Sequence, residues 1–90
     1  MSIQTAPEAH ERAEEGIGTA DIVNEAVEEA GSKNEAKDLA REKTKAKVQK
    51  LLEMNDTPEH LIEDVQEDMG WKVAKEAGTA YVKANLEEFK

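Results

Sequence analysis

Two histidines with nearby carboxylates are the residues in this sequence best suited to bind a metal ion. His10 lies four residues before Glu14. His60 lies three residues before Glu63 and four before Asp64. On an α-helix this spacing puts both groups on one face, where they can share a divalent cation. A stable site needs three or four ligands, and neither cluster contains H-E-x-x-H or the Glu-x-x-His of di-iron bundles. We therefore predict solvated surface histidines, and neither a metal site nor a cofactor.

Residues for covalent or phosphate chemistry are equally sparse. The chain has no cysteine, which excludes thiol nucleophiles and thiolate metal sites. Its two serines are Ser2, close to the terminus, and Ser32, which is better placed as a helix cap. Gly16 and Gly18 form a glycine pair too short for a phosphate-binding loop. We therefore predict that the protein is not an enzyme.

Length and composition predict the number of domains, the size of the core and the location of the protein. Ninety residues form one domain, 1–90, with a small core, because alanine supplies many of the apolar residues and aromatics make up 3%. Small secreted folds usually need disulfides, so the lack of cysteine favours the cytoplasm. The first residues resemble no signal peptide, and no stretch is apolar enough to predict a membrane span.

The first two predicted helices are short. The first covers about 7–15, with Thr5 and Glu8 at capping-box spacing. Its apolar stripe is made of alanines, so we expect this helix to be weak or frayed and residues 1–18 to be flexible. The second covers about 20–30, with Thr19 as its cap and Gly31 as a left-handed residue at its end.

The third and fourth predicted helices are longer. Ser32 begins the third as its cap, and the helix continues to about Met54. Thr57 then caps a fourth segment that runs from Pro58 to about 89. The apolar stripe of this segment stays in phase across Gly70, but we favour a break or kink at that glycine. The prediction is an all-α protein, a small antiparallel bundle of four or five helices.

The charge is divided into blocks along the chain, although the total is −9. Residues 1–32 are acidic, 33–50 are basic, and 51–70 contain seven acids and no base. In the last block, acids repeat every four residues along one predicted helix, which costs roughly 0.2–0.5 kcal/mol per like-charged pair in an isolated helix. We call these residues the acidic ladder: Glu59, Glu63, Asp64, Glu67 and Asp68.

Three interpretations of these charges remain open. The basic third helix can neutralise the ladder within an antiparallel hairpin, or the ladder can face a partner with a basic surface. One example of such a partner is a nucleic-acid-binding protein, whose nucleic-acid substrate the ladder would imitate. The third interpretation is nucleic-acid binding by Lys43, Lys47 and Lys50, which share a helix face. The negative field around those lysines makes this the weakest alternative.

The aromatic residues Trp71, Tyr81 and Phe89 either complete the small core or anchor an interface. Trp71 lies off the apolar stripe of its helix, so we expect it to be partly exposed. Together these features predict a non-catalytic module for protein binding, inhibition or regulation that acts through acidic and apolar helix faces. The alternatives are a nucleic-acid-binding or nucleic-acid-mimicking accessory protein and a structural homo-oligomer.

Overall fold

A computed structural model describes residues 2–86 and contains four α-helices in that range, with no strand. Short connections join the helices, which confirms the predicted all-α bundle with four members. The helices are α1 (Ala6–Gly16), α2 (Thr19–Glu29), α3 (Lys33–Met54) and α4 (Glu59–Ala84).

Capping side chains begin α1 and α3, as the sequence predicts. The Thr5 hydroxyl accepts a hydrogen bond from the Glu8 backbone N–H at 3.4 Å and donates one to Glu8 Oε1 at 3.0 Å. The Ser32 hydroxyl accepts from the Glu35 backbone N–H at 3.1 Å. Each cap satisfies a backbone donor that the first helical turn leaves unpaired, so these two starts are encoded locally.

Three other predicted helix ends are wrong. Gly18, with φ of 67°, is the cap residue of α2, and Thr19 is already helical. Ala30 ends α2 in an extended conformation, and Gly31 is not left-handed. Pro58 occupies the cap position of α4. The hydroxyl of Thr57 is instead buried, without a hydrogen-bond partner within residues 2–86.

The predicted break at Gly70 is also wrong, because α4 continues through it as one helix. Gly70 is buried against α3, where an added Cβ would lie 3.2 Å from Arg41 Cγ. Gly78 is packed in the same way beneath Lys37, whose Cγ would lie 3.1 Å from an added Cβ. These glycines therefore allow close helix packing, and neither ends the helix.

The antiparallel hairpin of α3 and α4 forms the main part of the core. Gln66 of α4 crosses to α3, where its Nε2 donates to the Lys45 carbonyl at 2.9 Å and to Gln49 Oε1 at 3.1 Å. Large aliphatic side chains fill the interior. The most deeply buried of them are Ile22, Val48, Leu52, Ile62, Val65 and Val73.

Helices α1 and α2 each pack against both arms of this hairpin. The contribution of α1 to the core is small, since its fully buried residues are Ala9 and Ala13. The resulting molecule is elongated, with principal extents of 49 × 16 × 15 Å. No helix within residues 2–86 combines the length and apolarity needed to cross a membrane.

Candidate functional site

All five residues of the acidic ladder are exposed on α4. They follow two rows on the solvent side of the helix because residues four apart are neighbours there. Glu59, Glu63 and Glu67 form one row, whereas Asp64 and Asp68 form the other. Only the last residue of each row has an ion-pair partner within residues 2–86. Three carboxylates of the ladder therefore face solvent without a counter-charge in the described part of the chain.

Glu67 belongs to a cluster with Trp71 and Arg41. The indole Nε1 of Trp71 donates to Glu67 Oε1 at 2.9 Å, and Arg41 Nη2 lies 3.7 Å from Glu67 Oε2. The Arg41 guanidinium stacks over the Trp71 ring, 4.4 Å from its centroid. These contacts fix the orientation of the indole, although Trp71 remains 55% exposed. The partial exposure agrees with its position off the apolar stripe.

Arg41 is the one residue of α3 that forms an ion pair with the ladder in the described structure. Its Nε is buried and has no hydrogen-bond partner within residues 2–86. Stacking on the indole supplies part of the electrostatic compensation that a buried donor requires. The predicted neutralisation of the ladder by basic residues of the third helix is thus limited to one arginine.

Asp68 connects α4 to α1 through His10. His10 Nε2 lies 2.9 Å from Asp68 Oδ2, and Nδ1 lies 2.9 Å from the Ala6 carbonyl oxygen. Both partners are acceptors, so this geometry suits the imidazolium form, which donates from both nitrogens. The backbone hydrogen bond to Ala6 and the carboxylate of Asp68 raise the pKa of His10 above 6.5. His10 is therefore a contact between helices and not the solvated residue that the sequence suggested.

The lysines considered for nucleic-acid binding do not form a free basic patch together. Lys43 lies 2.9 Å from Glu29 and 3.9 Å from Glu25 of α2, and the hydrogen bond to Glu29 raises its pKa. Lys47 and Lys50 are exposed and border a shallow surface hollow at the junction of α1 with α3. One of the three lysines, Lys43, is thus already paired with carboxylates of α2.

The other candidate residues lie apart from the Trp71 cluster. Tyr81 is buried in the core, whereas Phe89 lies outside the described residues. His60 is exposed at the start of α4. Within residues 2–86, no three histidine or acidic side chains are close enough together to hold a metal ion.

The chain matches no protein-family model, and no curated protein or solved structure is significantly similar to it. The α4 surface itself is therefore the main indication of function. That surface combines an oriented aromatic ring with neighbouring carboxylates on a continuous helix. Guanidinium and ammonium groups are the chemical groups that such a surface binds best.

Sequence reasoning missed how these residues are connected. The Glu67–Trp71 hydrogen bond was readable from the spacing of four, because that spacing places the two side chains together on a helix. The stacking of Arg41 and the pairing of His10 with Asp68 depend on helix packing. His10 and Asp68 are 58 residues apart, so no local pattern identifies them as partners.

Proposed function

We propose that the protein is a non-catalytic binding module, inhibitory or regulatory in its effect, that recognises a protein with a basic surface through α4. The observation that supports this function most directly is the exposed Trp71 on the same helix as three exposed carboxylates that have no ion-pair partner within residues 2–86. Large aromatics at the centre of an interface contribute most of its binding energy, and surrounding charges set the orientation of the partner.

The geometry suits such a role because the anchor is already ordered before binding. Glu67 and Arg41 hold the indole in one orientation. Binding of a partner therefore loses less side-chain conformational entropy at Trp71. Glu63 and Asp64 lie about two helical turns from Trp71. Neither has an ion-pair partner within residues 2–86, so both can pair with arginine or lysine. The acidic balance of the whole chain, −9, also attracts basic proteins from a distance.

Affinity capture from the native host with matched variants tests this proposal. A basic protein recovered by the wild type should be lost with Trp71→Ala and weakened by Glu63→Gln combined with Asp64→Asn. The partner, once purified, should bind Trp71→Ala at least about tenfold more weakly, as expected for a hot-spot aromatic. Because Trp71 is the single tryptophan, its fluorescence reports directly on occupation of the site.

Met54→Ala is the matched control, because Met54 is an exposed apolar residue, at 74%, outside the Trp71 cluster. Circular dichroism should show that all variants retain the helical fold. Equal binding by the wild type and Trp71→Ala would contradict the proposal. Equal losses with Trp71→Ala and Met54→Ala would show that the α4 surface is not specific.

A further inference from the structure

One row of exposed side chains on α4 changes from acidic to basic along the helix. The row continues the Glu59–Glu63–Glu67 series at four-residue spacing and has an aromatic residue at its centre. Every member is exposed; the three members before the aromatic residue are acidic, and the three after it are two lysines and a threonine. We call this set the α4 row: Glu59, Glu63, Glu67, Trp71, Lys75, Thr79 and Lys83.

The helix macrodipole explains only the two ends of this order. Acids are stabilised near the N-terminus of a helix and bases near its C-terminus, but the effect is confined to the first and last turns. Glu59 lies in the first turn and Lys83 in the last. Glu67 and Lys75 lie well inside the helix, and Lys75 has no ion-pair partner within residues 2–86. Glu67 has partners within its own chain, Arg41 and Trp71, but neither the dipole nor a partner in the described part of the chain accounts for the charge of Lys75.

We propose that α4 pairs with α4 of a second copy in an antiparallel arrangement, with a two-fold axis at Trp71. This proposal rests on the proposed function, since it names a second copy as the source of the basic surface. In this register Glu67 faces Lys75 of the second copy, and the symmetry repeats the contact on the other side of the axis. The two Trp71 rings meet at the centre, each retaining Arg41 on its other face.

Helix geometry limits the contact to the centre of the row. Side chains four residues apart form ridges, and ridges of this kind interdigitate when helices cross at about −50°. Glu67 and Lys75 each lie four residues from Trp71, about 6 Å along the axis, and stay within reach. Glu59 and Lys83 lie about 18 Å from the crossing point, where the axes have diverged. The interface is therefore small, below about 1,200 Å² in total, and the dimer is weak.

The net charge of −9 opposes self-association but does not prevent it. At physiological ionic strength, charges farther apart than about 8 Å are largely screened, so the groups nearest the axis decide the outcome. At the centre of the row, Glu67 and Lys75 are opposite in sign and cancel. Arg41 adds a positive charge against each ring. The local surface is thus far less acidic than the whole molecule.

Sedimentation equilibrium of the full chain over a range of concentrations, up to about 1 mM, tests the pairing. The wild type should show a concentration-dependent monomer–dimer equilibrium. Lys75→Glu and Glu67→Lys should each weaken it by about tenfold or more, because each substitution creates two like-charged contacts per dimer. An equimolar mixture of these two variants should form a heterodimer, since each acidic position of one variant then faces a basic position of the other: one pair is native and the second is reversed.

Lys50→Glu is the matched control, because it makes the same change in net charge at an exposed lysine of α3, outside the α4 row. It should dimerise nearly as well as the wild type. A wild type that stays monomeric throughout would overturn the pairing, as would equal losses with Lys50→Glu and Lys75→Glu or no association in the mixture. A monomer that still binds a basic host protein through Trp71 would leave the proposed function standing without the self-pairing.

Discussion

The α3–α4 hairpin and α1 are attached to the same core by different means. The hairpin buries branched aliphatic side chains such as Leu52, Ile62 and Val65, each contributing about 1.5–3 kcal/mol by removal from water. Helix α1 buries two alanine methyl groups, worth about 0.8 kcal/mol each. The difference indicates that the hairpin carries most of the stability, while α1 depends on additional contacts.

Two of those additional contacts are the buried side chains of Ile3 and Ile17, which flank α1. The others are polar and largely exposed. His10 binds Asp68, and Glu14 lies 3.5 Å from Lys72 of α4. The backbone N–H of Ile3 donates to the Asn55 carbonyl at 3.3 Å. Exposed ion pairs weaken with salt, and a histidine contact weakens with rising pH. Solution conditions should therefore affect α1 before they affect the hairpin.

The largest expected effect is in the hairpin. Ile62→Ala should lower the free energy of unfolding by about 2–5 kcal/mol, because Ile62 is 1% exposed and its replacement leaves a cavity. Urea denaturation followed by circular dichroism measures the change. Met54→Ala, at an exposed position of α3, should change it by less than about 0.5 kcal/mol. Similar losses from both substitutions would mean that the hairpin core is not the principal source of stability.

The second-largest change in the free energy of unfolding is expected at the connection between α1 and α2. Gly18→Ala should lower the free energy of unfolding by about 1–2 kcal/mol, since alanine is disfavoured at the φ of 67° found there. Gly31→Ala, at the joint between α2 and α3, should be neutral or slightly stabilising. Hydrogen exchange should show faster exchange in α1 for the Gly18 variant. Equal effects at both joints would argue against the left-handed conformation at Gly18.

A smaller effect of opposite sign is expected at the turn of the hairpin. Thr57→Val removes a buried hydroxyl that has no hydrogen-bond partner within residues 2–86, while keeping the shape of the side chain. The free energy of unfolding should rise by about 1 kcal/mol, the typical cost of such an unpaired group. Thermal unfolding measures this change. A lower melting temperature would show that the hydroxyl is satisfied in solution.

The smallest effect should depend on pH and be confined to α1. Because the pKa of His10 is raised in the folded state, its contribution is fully present below the unfolded value of 6.5 and disappears as the pH rises through the folded value. The stability difference between the wild type and His10→Gln should therefore be largest below pH 6.5 and shrink as the pH rises above that value. His60→Gln, at an exposed histidine, is the control. A difference independent of pH would exclude the imidazolium contact.

The sequence predicted several features that depend on neighbouring residues in the chain, although three helix ends of this local kind were wrong. The Ser32 cap is local, and so are the apolar phase that places Trp71 at the surface and the spacing of the acidic ladder. The role of Gly70 was mistaken, because a glycine that ends a helix and one that admits a packed side chain look alike until Arg41 is placed against it. The pairing of His10 with Asp68 likewise requires the packing of α1 on α4. The role of Gly70 and the partner of His10 were not predicted because both depend on tertiary contacts between distant segments of the chain.

The elongated outline of the bundle affects how its mass is measured in solution. Its radius of gyration is 14.0 Å, compared with about 12 Å for a compact domain of this length. A rod-like particle experiences more friction than a sphere of equal mass, so it leaves a gel-filtration column early. A single copy calibrated against globular standards would be assigned too high a mass. Light scattering coupled to the column corrects this error, because the scattered intensity depends on mass and not on shape.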